Sequence, residues 1–298
     1  MPLQESRERL DQSDGIVTGA WLEFHDPGQR KFLTLDAIEL ESGERLEEVR
    51  IAYQSWGELN SDKSNAILIN HALTGWSDVP AWWPKMVGPG LPFDTDRFFV
   101  ICPNVIGGCQ GSTGPSSLSP DGRRYGSRFP RVSIRDMVLA EKKVAEHFGI
   151  DRFLLAVGPS LGGMRSLEWA ITYPDSVAAI CTIGSAAIAT GDQIGSASIQ
   201  LRAIANDPHF YGGDYYDREQ GPIEGLGIAR RIAHLTYRTE LEMDLRFGAL
   251  PQDDGSGRFQ VASYLDHQAK KLQRRFDANT YIALTEAMNS HDVGRGRG

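Results

Sequence analysis

Gly158-Pro159-Ser160-Leu161-Gly162 is the part of this chain best suited to covalent chemistry. It follows the apolar run 153–157 and precedes a helical pattern over 161–173. A serine between two glycines at that junction fits a sharp strand-to-helix reversal, the G-x-S-x-G nucleophile elbow. Such a turn strains the serine backbone and lifts its hydroxyl clear of the sheet edge. It also aims the first N–H groups of the helix at the place where an acyl oxyanion would form. The five-residue pattern is weak on its own, so the strand before it and the helix after it carry the assignment. Ser160 is therefore the candidate nucleophile, and the backbone N–H of Leu161 is one oxyanion donor. Pro159 pushes Gly158 toward extended geometry, which a strand end tolerates.

An acyl-transfer serine needs a second oxyanion donor from the loop after an earlier strand. The apolar run 66–70 ends in His71-Ala72-Leu73-Thr74-Gly75, which makes the N–H of Leu73 that candidate. His71 precedes the serine in the chain and reads as a hydrogen-bonded structural residue rather than the base.

These residues need a scaffold. Residues 32–40 and 48–56 alternate like amphipathic strands around Ser42-Gly43-Glu44, so an antiparallel hairpin is expected. The runs 66–70, 98–102, 153–157 and 177–183 are continuously apolar, as in parallel strands buried on both faces. Helices are expected at 134–148, with Ser133 and Asp136 as a capping box and Gly149 as the stop, and at 161–173, ended by Pro174. Strand–helix alternation gives an α/β sheet with helices on both faces. From 191 to 290 helical periods dominate, at 194–205, 226–237, 240–247, 261–276 and 279–288. The expected organisation is a core over 16–190, a helical cap over 191–290 and a return toward the core over 291–298. A separate helical bundle remains an alternative for the cap. Residues 1–15 are polar and read as a loose arm.

Composition narrows the function classes. Among 298 residues, 41% are hydrophobic and 23% charged, which excludes wholesale disorder. Lys and Arg number 31 against 39 Asp and Glu, a net −8, so there is no broad positive field for nucleic acid or anionic lipid. The apolar stretch 178–189 is too short to span a bilayer, and no apolar signal region opens the chain. The three cysteines, Cys102, Cys109 and Cys181, form no C-x-x-C. A reducing, cytoplasmic setting without disulfides or a metal site is expected. Cys102 and Cys109 read as small buried residues, since no basic neighbour activates them.

Several motifs in order make the reading more specific. His71 to Gly75 is followed by Asn104-Val105-Ile106-Gly107-Gly108-Cys109, Gly111-Ser112-Thr113-Gly114-Pro115, Gly126-Ser127-Arg128-Phe129-Pro130 and Ser133-Ile134-Arg135-Asp136. Leu167-Glu168-Trp169, the segment from Ala229 to Arg238, and Ser290-His291-Asp292-Val293-Gly294-Arg295-Gly296-Arg297-Gly298 complete the set. Together they resemble the homoserine O-acetyltransferase family of the α/β-hydrolase superfamily, from about residue 33 to the last residue. Pro159 departs from the family's usual glycine, and Trp76 from a common acidic residue.

The resemblance implies an α/β-hydrolase fold with a helical cap insertion and a role in methionine biosynthesis. It implies a ping-pong reaction in which acetyl-CoA acylates Ser160 and the hydroxyl of L-homoserine then attacks the acyl-enzyme. Acetyl-CoA is a co-substrate, and no cofactor is bound. Arg230 takes the family's substrate-binding arginine position. Its neighbour Arg231 points about 100° away on the same helix, so only one of the two should face a pocket. Tyr237 either lines that pocket or packs in the core. The resemblance further implies a homodimer and no nucleic-acid or membrane partner. Homoserine O-succinyltransferase or serine O-acyltransferase activity is the near alternative, and a serine esterase the more distant one.

The superfamily order is Ser, then Asp or Glu, then His. After Ser160 the histidines are His209, His234, His267 and His291, and none follows a buried strand. His291-Asp292 reads as a structural stretch. Six strands are counted, and about two further strand–helix units would need on the order of 60 residues. The expectation is that the catalytic Asp and His lie beyond Gly298, that the last two strands are missing from this chain, and that the chain as it stands is inactive.

Overall fold

The computed structural model describes residues 17–297. The expected arm over 1–15 lies outside them. The described residues form two compact units: Trp21–Thr190 with 282–297, and 17–20 with Gly191–Tyr281.

The first unit is built on a six-stranded mixed sheet. Its strands are β1 (Lys31–Glu39), β2 (Arg45–Trp56), β3 (Ala66–Ile69), β6 (Phe99–Pro103), β7 (Leu155–Pro159) and β8 (Ile180–Ile183), in spatial order β1-β2-β6-β3-β7-β8. Two short strands, β4 (Val87–Gly88) and β5 (Phe93–Asp94), pair with each other and were not anticipated. β1 and β2 form the expected antiparallel hairpin, and β2 is antiparallel to β6. The pairs β3/β6, β3/β7 and β7/β8 are parallel. Every residue of β3 and β6 is buried, as their unbroken apolar runs require. Ile67, Ile69, Val100, Cys102 and Val157 pack with Val79, Val87 and Phe93 on one side of the sheet. β8 departs from the expectation of burial on both faces. Among the described residues its only strand partner is β7, and Cys181, Thr182 and Ile183 are exposed, because an edge strand lacks a second neighbour.

Three helices belong wholly to this unit: α1 (Val79–Trp82), α2 (Ile134–Phe148) and α3 (Leu161–Thr172). α2 has the predicted bounds because both ends are written locally. Ser133 Oγ accepts from the Asp136 N–H, the Asp136 carboxylate accepts from the Ser133 N–H, and Gly149 closes the helix. α3 packs against β7, β8 and α2.

The second unit is helical: α4 (Gly191–Ala205), α5 (Ile223–Thr236), α6 (Glu240–Arg246) and α7 (Gln260–Gln273). α5 packs on both α4 and α7. The last helix, α8 (Ala278–Asn289), begins in this unit, and the division between the units falls within it, between Tyr281 and Ile282. At the start of α8 the buried Asp277 carboxylate accepts from Thr18, Tyr215, Tyr216 and the Thr280 N–H. Those bonds satisfy its charge without a cation. Among the described residues no helix is long and apolar enough to cross a membrane.

Candidate active site

Ser160 sits between β7 and α3 with φ 53° and ψ −121°. A non-glycine residue in that region costs about 1–3 kcal/mol and persists only where its surroundings over-determine it. Here the surroundings do so. The Ser160 N–H donates to Ile183 O at 2.9 Å, its carbonyl accepts from the Met164 N–H at 3.0 Å, and Ser185 Oγ also donates to that carbonyl. The side chain caps nothing in α3, and no hydrogen bond of its Oγ is seen among the described residues. The first N–H groups of α3, beginning with Leu161, therefore keep no intrahelical partner. Ser160 is half-buried and Leu161 fully buried.

The glycines of the motif have a single steric reason. A Cβ on Gly158 would lie 2.2 Å from Asn70 O, and one on Gly162 would lie 1.9 Å from the same atom. The backbone at the end of β3 thus passes directly against both arms of the elbow. That close approach brings the second expected oxyanion segment to the nucleophile. His71 to Gly75 leaves β3 as a tight turn, with the Gly75 N–H donating to Ala72 O at 2.8 Å. Leu73 lies within this turn and is half-buried.

His71 is not a base for Ser160. Its Nδ1 bonds Ala72 O at 2.8 Å, and its Nε2 accepts from the Val105 N–H at 3.1 Å. Both ring nitrogens are occupied, which fixes the neutral tautomer protonated on Nδ1. Burial, helped by the nearby Arg165 guanidinium, pushes its pKa down to about 3. Burial likewise raises the Cys102 thiol pKa, so Cys102 stays an inert core residue. Cys109 is also buried and in no disulfide, whereas Cys181 is exposed.

In the helical unit, α5 carries both adjacent arginines, and the structure distinguishes them. Arg231 is exposed and ion-paired to Asp266, which also holds Arg258. Arg230 is half-buried, its Nε is buried without a partner, and it makes no ion pair among the described residues. Its guanidinium lies 6.0 Å from the centre of the Tyr237 ring. Tyr237 is 63% exposed, so core packing is not its role. On the same helix, His234 bonds Tyr264 through Nδ1, and burial together with Arg230 and Arg238 lowers its pKa to about 4.

The residues that sequence reasoning missed lie under the Leu73 turn. Arg165 and Glu141 are both buried and paired, and Arg165 also donates to His71 O at 2.6 Å. One signal was available: an arginine in the otherwise apolar face of α3, in Leu161-Gly162-Gly163-Met164-Arg165-Ser166-Leu167.

His291 is buried in a segment held by backbone bonds. The segment after α8 pairs with residues 187–189: His291 O accepts from the Ala189 N–H, and the Val293 N–H donates to Ala187 O. Glu41, Arg135, Glu168, Arg295 and Arg297 tie this segment down through ion pairs.

A mixed sheet with a strained serine at a strand-to-helix turn, faced by a tight turn from the neighbouring strand, defines an α/β-hydrolase-type enzyme. The family model for the alpha/beta hydrolase fold matches residues 65–287. The homoserine O-acetyltransferase of Thermobifida fusca is 55% identical over 298 residues, covering 95% of this chain and 79% of the relative. A crystal structure of homoserine O-acetyltransferase from Bacillus anthracis aligns with a TM-score of 0.81 at 25% identity, covering 90% of this chain and 77% of that one. The crystal structure of esterase E22 aligns with a TM-score of 0.80 at 27% identity, covering 89% and 78%. The chain belongs to the homoserine O-acetyltransferase family.

Proposed function

We propose that this protein transfers an acetyl group from acetyl-CoA to the hydroxyl of L-homoserine through an acetyl-Ser160 intermediate. The observation that carries the reading is Ser160 itself, held in a strained conformation with its hydroxyl unpaired at the open N-terminus of α3. Ser160 attacks the thioester carbonyl once an imidazole base takes its proton, and the thiol of coenzyme A leaves. The N–H groups of Leu73 and Leu161 bind the oxyanion, each worth about 2.7–4 kcal/mol by comparison with other oxyanion holes. The homoserine hydroxyl then attacks the acyl-serine and restores the free enzyme. Arg230, which makes no ion pair among the described residues, binds the acceptor carboxylate, and Tyr237 borders it. Acetyl-CoA is a co-substrate and no resident cofactor is required. Family membership also supports a place in methionine biosynthesis, a cytoplasmic location and a homodimer.

Likeness to esterase E22 makes hydrolysis the competing outcome. With the catalytic Asp and His present, mass spectrometry after exposure to acetyl-CoA should find the acetyl group on the Ser160 peptide, discharged by L-homoserine far faster than by water. Equal discharge to water would make the protein an esterase. Preferential loading from succinyl-CoA would replace the donor, and faster discharge by L-serine would replace the acceptor.

A further inference from the structure

Arg165 is wholly buried on α3, and Glu141 is 2% exposed on α2. Removing such a pair from water is costly, and well-packed apolar residues would often serve stability as well or better. The bonds show what the charges achieve. Nη1 of Arg165 pairs with Glu141 Oε1, and Nη2 donates to His71 O at 2.6 Å. Glu141 Oε2 accepts from Trp169 Nε1 at 2.6 Å, which fixes the carboxylate in turn. The held carbonyl belongs to the residue where β3 becomes the Leu73 turn.

The next peptide is held as firmly. Ala72 O accepts from His71 Nδ1–H and from the Gly75 N–H, each at 2.8 Å. His71 is kept in the required tautomer by the Val105 N–H on Nε2. In a planar trans peptide the N–H points opposite to the C=O. Two donors on Ala72 O therefore turn the Leu73 N–H the other way, out of the His71 side of the turn.

We propose that Glu141, Arg165 and His71 form a buried positioning relay that aims the Leu73 N–H as an oxyanion donor. This rests on Ser160 and Leu73 acting as described under the proposed function. Glu141 orients Arg165, Arg165 fixes the carbonyl of His71, and the imidazole of His71 fixes the carbonyl of Ala72. None of the three needs to touch the substrate. Because His71 stays neutral until far into acid, the relay keeps its tautomer across the physiological range.

The test compares Arg165→Met, His71→Leu and His71→Asn with wild type in acetyl transfer from acetyl-CoA to L-homoserine, each in a polypeptide that also carries the catalytic Asp and His. Ser133→Ala serves as a control that weakens α2 without touching the relay. His71→Leu removes the donor to Ala72 O, whereas the amide of Asn places an N–H near the position of Nδ1. Arg165→Met and His71→Leu should lower kcat about 10–100-fold with the KM for L-homoserine unchanged, less than outright loss of an oxyanion donor. His71→Asn should recover most of that loss. If His71→Asn is no better than His71→Leu, or if Arg165→Met loses no more kcat than Ser133→Ala at equal folded fraction, the relay is refuted while the acyl-serine reading stands. If wild type with its catalytic Asp and His present loads no acetyl group on Ser160, that reading fails and the relay fails with it.

Discussion

Ser133 and Ser160 each stand just before a helix of the sheet unit, and the chain uses them in opposite ways. Ser133 has extended backbone angles, φ −106° and ψ 170°, and its hydroxyl accepts from the Asp136 N–H. Ser160 has φ 53° and ψ −121°, and its hydroxyl caps nothing. The first is a relaxed end whose orphan N–H groups are partly satisfied by its own sequence. The second keeps both the hydroxyl and the helix N–H groups open, at the cost of backbone strain. The difference shows where local rules are broken on behalf of chemistry, and each side of it can be altered separately.

The largest effect is expected at the nucleophile. With the catalytic Asp and His present, Ser160→Ala should reduce acetyl transfer at least about 10⁴-fold while leaving the folded state intact by circular dichroism. Retention of a tenth of the activity would show that Ser160 is not acylated. Next comes the steric seam between the two turns. Gly162→Ala would drive a methyl group against the Asn70 carbonyl, a backbone atom that cannot swing aside. A loss of about 3 kcal/mol or more in chemical denaturation is expected. A fully stable, active variant would mean that the elbow and the β3 end are not locked together. A smaller effect is expected on α5. Arg230→Ala should raise the KM for L-homoserine about 10–100-fold, the loss of a charged hydrogen-bonded contact, and leave acylation by acetyl-CoA alone unchanged. Arg231→Ala should change KM by less than about 2-fold, because Arg231 is already paired with Asp266. If the two arginines exchange these behaviours, Arg231 is the acceptor ligand.

What could be read in the sequence was mostly what neighbours along the chain decide. The capping box of α2 is set by Ser133 and Asp136, three residues apart, and the helix has the expected bounds. The elbow is five consecutive residues between a strand and a helix, and Ser160 lies where the pattern put it. Most of the six main-sheet strands also followed from short apolar or alternating runs. The relay was hidden because Arg165 finds Glu141 across 24 residues and His71 across 94, through the packing of α3 on α2 and on the β3 end. The ion pair of Arg231 was likewise hidden, because Asp266 comes from another helix. At β8 an apolar run suggested burial, but burial depends on the strand's place in the sheet, which the run itself does not encode. The pairing of β4 with β5 rests on two residues in each strand, too few to show a period.

The finest test of the serine comparison is one of sign. Ser133→Ala removes a cap and should cost about 1 kcal/mol of stability, with kcat unchanged once the folded fraction is equal. Ser160→Gly removes no cap and places at φ 53° a residue for which that region is unstrained. Relief of about 1–2 kcal/mol of left-handed strain is offset by about 0.4–1 kcal/mol from the greater freedom of glycine in the unfolded chain. Ser160→Gly should therefore unfold at the same temperature as wild type or slightly above it, although it is inactive. Thermal denaturation of the two variants side by side reads the difference. If both are destabilised equally, Ser160 is an ordinary helix-start residue, and the strain assigned to the nucleophile turn is not there.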